Sequence, residues 1–320
     1  MPNMPNTSDG RVADATQMNW VDRFAPARTR PYLRLSRADR PAGTWLLLIP
    51  CLWGLVLAVG AGGAGWAWSD MWIALGCTAG AFLMRGAGCT WNDFSDRHFD
   101  AQVARTKSRP LPSGQVTPRA ALIWMFIQVD LAALILFQFN GFSIWLGVAA
   151  LIPVVIYPFA KRFTWWPQVF LGIAFNWGAL LGWAAHTGSL SAAPFVLYLS
   201  GIAWTLFYDT IYAHQDKEDD ALIGVKSTAR LFGAATLRWL FGFQVLAVLL
   251  MAIAIILALG PVSPPTLLLG LMAPWAFGLH MFWQLRKLDI NNPDICLQLF
   301  RSNRDAGLIA AALLAVAASV

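Results

Sequence analysis

The stretch Asn92-Asp93-Phe94-Ser95-Asp96-Arg97-His98-Phe99-Asp100 closes an apolar run and decides how this chain is interpreted. It places one asparagine and three aspartates where a hydrophobic segment ends. If the segment is helical, Asn92, Asp96 and Asp100 share one stripe, and Asp93 lies just beside it. Carboxylates about 6 Å apart repel by roughly 2–3 kcal/mol per pair in an effective dielectric of about 20. The stripe therefore predicts a bound cation, and its oxygen-only ligands favour Mg²⁺, which also coordinates substrate phosphates.

A second acidic cluster closes another apolar run between Tyr208 and Asp220. Asp216 and Asp220 are spaced i, i+4, and Asp209 lies two helical turns before Asp216, so an uninterrupted helix puts all three on one face. Two such faces, each at the end of a hydrophobic segment, would enclose a diphosphate bridged by Mg²⁺. The predicted metal ligands are Asn92, Asp93, Asp96, Asp100, Asp216 and Asp220.

The alternative is that both clusters are ordinary solvated helix ends with acidic tips. That interpretation suits Glu218 and Asp219. It suits Asn92 and Asp209 poorly, because both lie inside apolar runs, where a polar group is costly unless it is used. Metal binding accounts better for the two clusters together.

The composition is that of a membrane protein, since hydrophobic residues make up 58% of the 320 and charged residues only 12%. Apolar runs long enough to cross a bilayer recur along the chain, whereas the alternation typical of a membrane barrel is absent. We therefore expect an all-α, polytopic membrane protein with about nine transmembrane helices. The predicted spans are 42–62, 70–90, 119–138, 141–159, 167–186, 193–213, 236–259, 264–284 and 304–320.

Basic residues predict the orientation of these spans. Of the 23 lysines and arginines, all but Arg85 fall in alternate connections, and the intervening loops near 63–69, 139–141, 187–192 and 260–264 contain none. By the positive-inside rule the basic connections are cytoplasmic. The N-terminus and both acidic clusters are then expected on the cytoplasmic side.

The N-terminal segment 1–31 is polar and interrupted by prolines, so we expect a disordered cytoplasmic tail before a single membrane domain at 32–320. Transit peptides for mitochondria avoid acidic residues. Asp9, Asp14 and Asp22 therefore disfavour such a peptide, and we predict the bacterial cell inner membrane as the location.

Several other features are less specific. The net charge of +6 reflects topology and an anionic substrate rather than nucleic acid, and the four cysteines lack metal or redox spacing. Arg34 and Arg37 are explained as well by lipid headgroups as by a substrate. Asp130, in the middle of the third span, is a candidate site residue by default. A protonated Asp130 bonded to a neighbouring helix is an equal explanation.

The two acidic motifs, Asn92–Asp100 and Asp216–Asp220, resemble the aspartate-rich motifs of the UbiA-type intramembrane prenyltransferases. The resemblance extends over most of residues 32–235 and is strongest to the 4-hydroxybenzoate polyprenyltransferase branch. The segments that carry it are Arg40-Pro41-Ala42-Gly43-Thr44, Arg105-Thr106-Lys107-Ser108-Arg109-Pro110-Leu111-Pro112-Ser113-Gly114, Tyr157-Pro158, Lys161-Arg162 and Gly224-Val225-Lys226-Ser227-Thr228.

The resemblance implies a helical bundle around a central cavity that opens to membrane lipid. It also implies the reaction, in which a polyprenyl diphosphate prenylates 4-hydroxybenzoate ortho to its hydroxyl group on the ubiquinone pathway. Mg²⁺ held by the acidic motifs would neutralise the diphosphate. The oligomeric state is left open.

Roles for individual residues follow from the same resemblance. The residues implied in catalysis are Asp96, Asp100, Asp216, Asp220 and Lys161. Those implied in binding the diphosphate are Arg105, Arg109, Lys161 and Arg162. Arg40 and Asp209 are the candidates for binding the acceptor. Asn176 stands where this branch is expected to have a small residue, so the resemblance does not define the details of the acceptor pocket.

Three competing functions are considered at this point. The same fold would serve another acceptor, such as homogentisate, a naphthoate or haem. An ion-coupled transporter would place its acidic residues near the bilayer centre. The position of the acidic motifs at helix ends counts against the transporter. A CDP-alcohol phosphotransferase also clusters aspartates near a membrane helix, but in one motif with interspersed glycine and alanine, and it would not need the second cluster.

Overall fold

The structure is a computed structural model that describes residues 12, 15–16, 18–101, 106–222 and 224–320, except for the side chains of His98, Phe99 and Asp219. Within these residues every regular element is helical, as the sequence predicted. The α-helices are α1 (Trp20–Phe24), α2 (Arg30–Leu35), α3 (Ala42–Gly62), α4 (Trp68–Asp100), α5 (Pro118–Leu136), α6 (Gly141–Ala149), α7 (Leu151–Phe163), α8 (Pro167–Thr187), α9 (Ala192–Ala213), α10 (Lys217–Leu222), α11 (Thr228–Phe232), α12 (Thr236–Leu259), α13 (Pro264–Lys287) and α14 (Pro293–Ala317).

A helix covers each of the predicted spans, and the protein is a multi-pass membrane protein. By length and composition, six helices of the described residues can cross a bilayer, namely Ala42–Gly62, Pro118–Leu136, Gly141–Phe163, Pro167–Thr187, Thr228–Leu259 and Pro264–Lys287. The long helices α4, α9 and α14 fall outside this set. The count of nine spans therefore stays a prediction.

Local sequence signals set the helix boundaries. Side-chain oxygens of Asn140, Ser263 and Asn292 accept hydrogen bonds from backbone N–H groups in the first turns of α6, α13 and α14, which are otherwise unsatisfied. Proline begins α5, α8, α13 and α14, where its missing N–H is not needed. Gly188 ends α8 with φ of 72°, a conformation that glycine adopts without strain.

The chain divides into two compact units. The larger, Trp45–Ala81 with Ile135–Val320, is a helical bundle in which α9 packs against α8, α12 and α14, and α13 packs between α12 and α14. Its centre is a group of fully buried rings, with the Trp53 and Trp204 centroids 5.0 Å apart. Each indole N–H is satisfied, because Trp53 donates to the Gly307 carbonyl and Trp204 to Asn303 Oδ1.

Glycine allows α3 and α8 to approach each other closely within this unit. A Cβ at Gly182 would overlap the Cys51 carbonyl oxygen, and one at Gly54 would overlap the Ala179 carbonyl oxygen. The contact is therefore backbone against backbone, as is common where membrane helices carry small residues at their interface.

The side chain of Asn176 on α8 fits against the neighbouring helix α9. Its Nδ2 donates to the Gly172 carbonyl and to Thr205 Oγ1, at 2.9 and 2.7 Å. A Cβ at Gly201 would overlap Asn176 Oδ1. The polar side chain that was unexpected from the sequence is thus fully buried between α8 and α9, because a glycine lies opposite it.

The smaller unit comprises Met1–Thr44 and Phe82–Leu134. The predicted disordered tail is wrong for residues 18–31, which contain α1 and the start of α2. Trp20 Nε1 donates to the Ala38 carbonyl at 2.8 Å, and Val21 and Ala25 are buried with Ala38. No helical period is visible in this segment, because contacts distant in sequence hold it rather than the apolar face of an amphipathic helix.

The segment that follows α2 is held against α5. Ser36 Oγ donates to Gln128 Oε1 at 3.0 Å and accepts from Trp124 Nε1 at 2.8 Å. Leu35 forms a small apolar core with Ala121. This unit is therefore stabilised by a buried polar network as well as by apolar packing.

A short 3₁₀ turn, His214–Asp216, follows α9. His214 is buried, its Nε2 lies 3.3 Å from Thr236 Oγ1, and its Nδ1 has no hydrogen-bond partner in the described residues. Burial, together with the nearby charge of Lys217, lowers the pKa of His214 to about 4. The imidazole is therefore neutral in the folded protein at physiological pH.

We predict that Gly182→Ala lowers the midpoint of thermal unfolding in detergent, because the added methyl group forces α3 and α8 apart. Overpacking of this kind costs about 1–3 kcal/mol. Gly242→Ala in α12 is the matched control, since a Cβ there meets no atom within 4 Å. Equal midpoints for the two variants would contradict the close approach.

We predict that the folded protein loses stability as pH falls from about 6.5, the pKa of an unfolded histidine, toward about 4, the pKa of His214 in the fold. The unfolded state binds the proton more tightly over this interval, so acid favours unfolding. Thermal unfolding of wild type and His214→Gln at several pH values measures the effect. The variant should show a smaller decline, and an equal decline would contradict the assignment.

Candidate functional site

The first acidic motif ends α4, and the helix continues without a break through Asp100. The helical stripe predicted for Asn92, Asp96 and Asp100 is therefore present. Asp93 and Asp96 are fully buried, Asp100 is buried, and Asn92 is partly buried. Buried carboxylates need compensating charge, because removing them from water costs several kcal/mol each.

Two arginines provide compensating charge. Arg37 Nη2 lies 2.6 Å from Asp93 Oδ1, and Arg109 Nη1 lies 3.3 Å from the same oxygen. Arg109 Nη1 is also 3.0 Å from Asp100 Oδ2. All four side chains are buried, so these are ion pairs in a region with little solvent. The observed partners of Asp93 are thus arginines, although the sequence predicted it as a metal ligand.

The donor set of the motif fits a hard divalent cation, since the stripe consists of carboxylate and amide oxygens only. Within the described residues, however, no three His, Cys, Asp or Glu side chains are arranged to hold a metal ion. At Asp100 the positive charge comes from Arg109. Asn92, Asp96 and Asp100 thus have the oxygen donors and the helical register that a metal needs, but the described residues do not gather three acidic ligands around one point.

The connection after α4 is partly anchored. Thr106 Oγ1 donates to the Asp100 carbonyl at 2.7 Å, which satisfies a group at the end of the helix. Leu111 and Val116 are buried in the same apolar core as Leu35, and these contacts fix the loop that carries Arg109. Arg105, predicted to bind the diphosphate, lies outside the described residues.

Arg40, a predicted acceptor ligand, lies beside another acid of the N-terminal segment. Its Nε is 3.2 Å from Asp39 Oδ1. Burial raises the pKa of Asp39 to about 6, although the charge of Arg37 opposes the shift. Arg37 itself is buried, so the lipid-headgroup role considered from the sequence does not fit it.

The second acidic motif is helical but interrupted. Asp209 lies in α9, Asp216 in the 3₁₀ turn and Asp220 in α10, and all three are partly buried. A 3₁₀ turn has about 3.0 residues per turn instead of 3.6. The prediction that Asp209 shares a face with the other two assumed one continuous helix, and that assumption is wrong.

Lys161 and the loop that follows the second motif meet through the backbone. The Lys226 N–H donates to the Lys161 carbonyl at 3.2 Å, and Lys226 Nζ donates to the Phe163 carbonyl at 3.4 Å. Arg230 Nη1 donates to the Asp220 carbonyl at 3.2 Å and also to that of Val225. The end of α7 and the end of the second motif are therefore tied to one loop.

Side-chain oxygens complete this attachment. Thr228 N–H donates to Gln168 Oε1 at 3.3 Å, and the hydroxyl groups of Thr228 and Thr210 are 2.7 Å apart. Ser227 caps α11 by accepting from the Arg230 N–H. The segment 224–228 carries part of the resemblance to the prenyltransferases. In the structure it joins α8, α9 and α11.

Two further charged residues are solvent-exposed or lipid-exposed. Arg162 is exposed and its guanidinium lies 4.9 Å from the centre of the Phe159 ring, a cation–π contact. Asp130 is exposed on α5, and no hydrogen bond or ion pair to it occurs within the described residues. The predicted diphosphate contact of Arg162 stays a prediction.

Sequence reasoning missed three residues that position the acidic motifs, Arg37, Gln168 and Arg230. Arg37 lies 56 residues from its partner Asp93, and Gln168 lies 60 residues from Thr228. A helical period reports contacts three or four residues apart and is silent at such separations. One available signal was that Arg37 lies next to the Arg40-Pro41 motif in a basic segment.

The chain is similar to known proteins over most of its length. The family model of the UbiA prenyltransferase family matches residues 47–317. The chain is 48% identical over 286 residues to "4-hydroxybenzoate polyprenyltransferase, mitochondrial" of Bos taurus, covering 89% of this chain and 74% of that protein.

Solved structures show the same fold. A UbiA homologue from Aeropyrum pernix K1 in its apo form superposes with a TM-score of 0.70 at 22% identity, covering 84% of this chain and 97% of that one. A UbiA homologue from Archaeoglobus fulgidus bound to GPP and Mg²⁺ gives a TM-score of 0.65 at 20% identity, covering 91% and 100%. The family match, the identity and the acidic motif on α4 agree, and the chain belongs to the UbiA prenyltransferase family.

Proposed function

We propose that this protein transfers a polyprenyl group from a polyprenyl diphosphate to the ring of 4-hydroxybenzoate. The observation that carries the proposal is the 48% identity, over 89% of this chain, to a protein named as a 4-hydroxybenzoate polyprenyltransferase. The acidic motif at the end of α4 supports it, because it supplies oxygen ligands suited to a metal–diphosphate.

In this proposal Asn92, Asp96 and Asp100, together with Asp216 and Asp220, hold Mg²⁺. The metal, when bound, would neutralise the diphosphate and make it a better leaving group. The observed partners of Asp93 are Arg37 and Arg109, and it is left out of the metal set here. That both acidic motifs serve the same diphosphate stays a prediction from the sequence.

The chain's own cations would act on the diphosphate oxygens. Arg109 and Lys161 carry donors suited to phosphate, Arg in bidentate geometry and Lys as a compact charge. They would stabilise the negative charge that develops as the carbon–oxygen bond of the donor breaks. We propose the same role for Arg105 and Arg162.

The acceptor ring attacks the allylic carbon of the donor, and loss of the ring proton restores aromaticity. We propose that attack occurs at the carbon ortho to the hydroxyl group, on the ubiquinone pathway. Arg40 would bind the carboxylate of the acceptor, and Asp209 would contact the acceptor as well. Tyr, Phe and Trp side chains would exclude water from the allylic cation.

The reaction takes place in a membrane, since the donor carries a long hydrocarbon chain. The Bos taurus relative is named as mitochondrial. The bacterial cell inner membrane, with a cytoplasmic active site, therefore stays a prediction from the sequence. Fractionation of the source cell, with detection of this chain by antibody, would test it.

We predict that the purified protein in detergent, given Mg²⁺, geranyl diphosphate and a panel of phenolic acids, prenylates 4-hydroxybenzoate. Asp96→Asn and Asp216→Asn should each lower turnover at least about a hundredfold, because a lost metal ligand removes several kcal/mol of stabilisation. Asp130→Asn is the matched control and should retain turnover.

Transfer to homogentisate or a naphthoate instead of 4-hydroxybenzoate would overturn the acceptor assignment. Full turnover in Asp96→Asn or Asp216→Asn would overturn the metal assignment for that motif. Thermal unfolding of each variant shows whether a loss reflects misfolding.

We predict different effects for the two adjacent cations that end α7. Lys161 is partly buried and its carbonyl is bound by the docked loop, whereas Arg162 is exposed and lies over Phe159. Lys161→Gln should raise the apparent KM for geranyl diphosphate about tenfold or more, and Arg162→Gln should raise it less. Equal effects would show that exposure does not distinguish their roles.

A further inference from the structure

The backbone at Arg37 points to a use for its side chain. Its φ is 59°, and among the described residues other than glycine only Arg37 and Met18 have a positive φ. This left-handed conformation is strained for a residue with a Cβ, and glycine would adopt it more easily. Strain of this kind persists where surrounding structure requires it. The segment therefore keeps the buried Arg37 side chain in place even though its backbone is strained.

The four charged residues form a continuous chain of contacts. Arg37 Nη2 reaches Asp93 Oδ1 at 2.6 Å, Arg109 Nη1 reaches the same oxygen at 3.3 Å, and Arg109 Nη1 also reaches Asp100 Oδ2 at 3.0 Å. All of these residues lie in the smaller unit. We call this the Arg37–Asp93–Arg109–Asp100 relay.

The charge of each member depends on its neighbours. Burial lowers the pKa of Arg37, but the surrounding groups, chiefly the Asp93 carboxylate, together raise it and the guanidinium stays charged. Asp93 in turn is fully buried and would be costly to ionise without its arginines. Its second oxygen, Oδ2, has no hydrogen-bond partner in the described residues. The arginine contacts at Oδ1 are therefore what compensates the buried carboxylate of Asp93 and holds it in place.

From these contacts we propose that Arg37 and Asp93 are positioning residues that hold Arg109 against Asp100. Asp93 then serves two guanidinium groups and is not a ligand of the metal. The consequence for the reaction rests on the proposed function, in which Asp100 binds Mg²⁺ and Arg109 binds the diphosphate. Without the Arg37–Asp93 pair, Arg109 loses its second carboxylate and the diphosphate loses an oriented donor.

Variants of the pair separate this role from two others. Arg37→Gln and Asp93→Asn remove the ion pair, and Arg37→Lys retains a charge. Arg37→Gly removes the charge but relieves the backbone strain, so a loss in this variant comes from the missing side chain and not from the backbone. Arg34→Gln is the matched control, because Arg34 is equally buried three residues earlier and pairs with Asp22 at 2.7 Å.

The first measurement uses the protein with geranyl diphosphate, Mg²⁺ and 4-hydroxybenzoate. Arg37→Gln, Arg37→Gly and Asp93→Asn should raise the apparent KM for geranyl diphosphate between about ten- and a hundredfold, with a smaller change in kcat. The Mg²⁺ concentration for half-maximal rate should not change. Arg37→Lys should recover part of the lost affinity, and Arg34→Gln should leave the KM unchanged.

Two results would overturn the proposal. An increase in the Mg²⁺ requirement of Asp93→Asn, at unchanged KM for the diphosphate, would make Asp93 a metal ligand. An equal fall in kcat and stability for Arg37→Gln and Arg34→Gln, with no change in KM, would reduce the relay to a structural anchor.

The second measurement does not depend on the acceptor or on turnover. Thermal unfolding of the metal-free protein in a double-mutant cycle of Arg37→Gln and Asp93→Asn should show strong coupling, since each single variant removes one side of the close buried pair and leaves the other side in place. Additive losses would overturn the relay. If the cycle shows this coupling but the wild type does not prenylate 4-hydroxybenzoate, the proposed function fails while the pairing stands.

Discussion

Burial of the Asp93 carboxylate is the constraint on which much of the smaller unit depends. A charge removed from water is stabilised only by close opposite charge and hydrogen bonds, and here two arginines provide both. One of them comes from the segment before α3 and the other from the connection after α4. A single carboxylate thus joins three parts of the chain that are far apart in sequence. The N-terminal segment is attached next to this pair, because Trp20 donates to the carbonyl of Ala38, the residue after Arg37.

In the larger unit the corresponding constraint is steric. Gly54 and Gly182 let α3 and α8 meet backbone to backbone, and Gly201 leaves room for Asn176. Lipid offers no hydrophobic gain for bringing apolar helices together, so close packing and buried hydrogen bonds take on that role. The hydrogen bond between Trp204 and Asn303 at the centre of the unit has the same character. Helix association here depends on fit and on satisfied polar groups.

The sequence predicted the features that depend on local pattern. Apolar runs located the helices, and the spacing of Asn92, Asp96 and Asp100 on α4 followed from the helical period. What it missed depends on partners far away along the chain. The tail was expected to be disordered because its own composition offers no apolar face, yet Arg34 and Ala38 lie outside the tail and hold it through contacts with Asp22 and Trp20. The 3₁₀ turn at 214–216 was missed because the acidic spacing i, i+4 assumed an unbroken α-helix.

The same distinction explains why the family is easier to infer than the role of each residue. An acidic motif is recognised from residue types and spacing, and both survive in the one-dimensional sequence. The role of a given acid depends on which cation reaches it, and that is set by the path of other segments. Asp93 and Asp96 are neighbours in the same motif and equally buried. Yet Asp93 contacts Arg37 and Arg109, and its position in the motif alone would have made it a metal ligand. Function at the level of the family therefore follows from the motif, and function at the level of the residue follows from the long-range ion pairs.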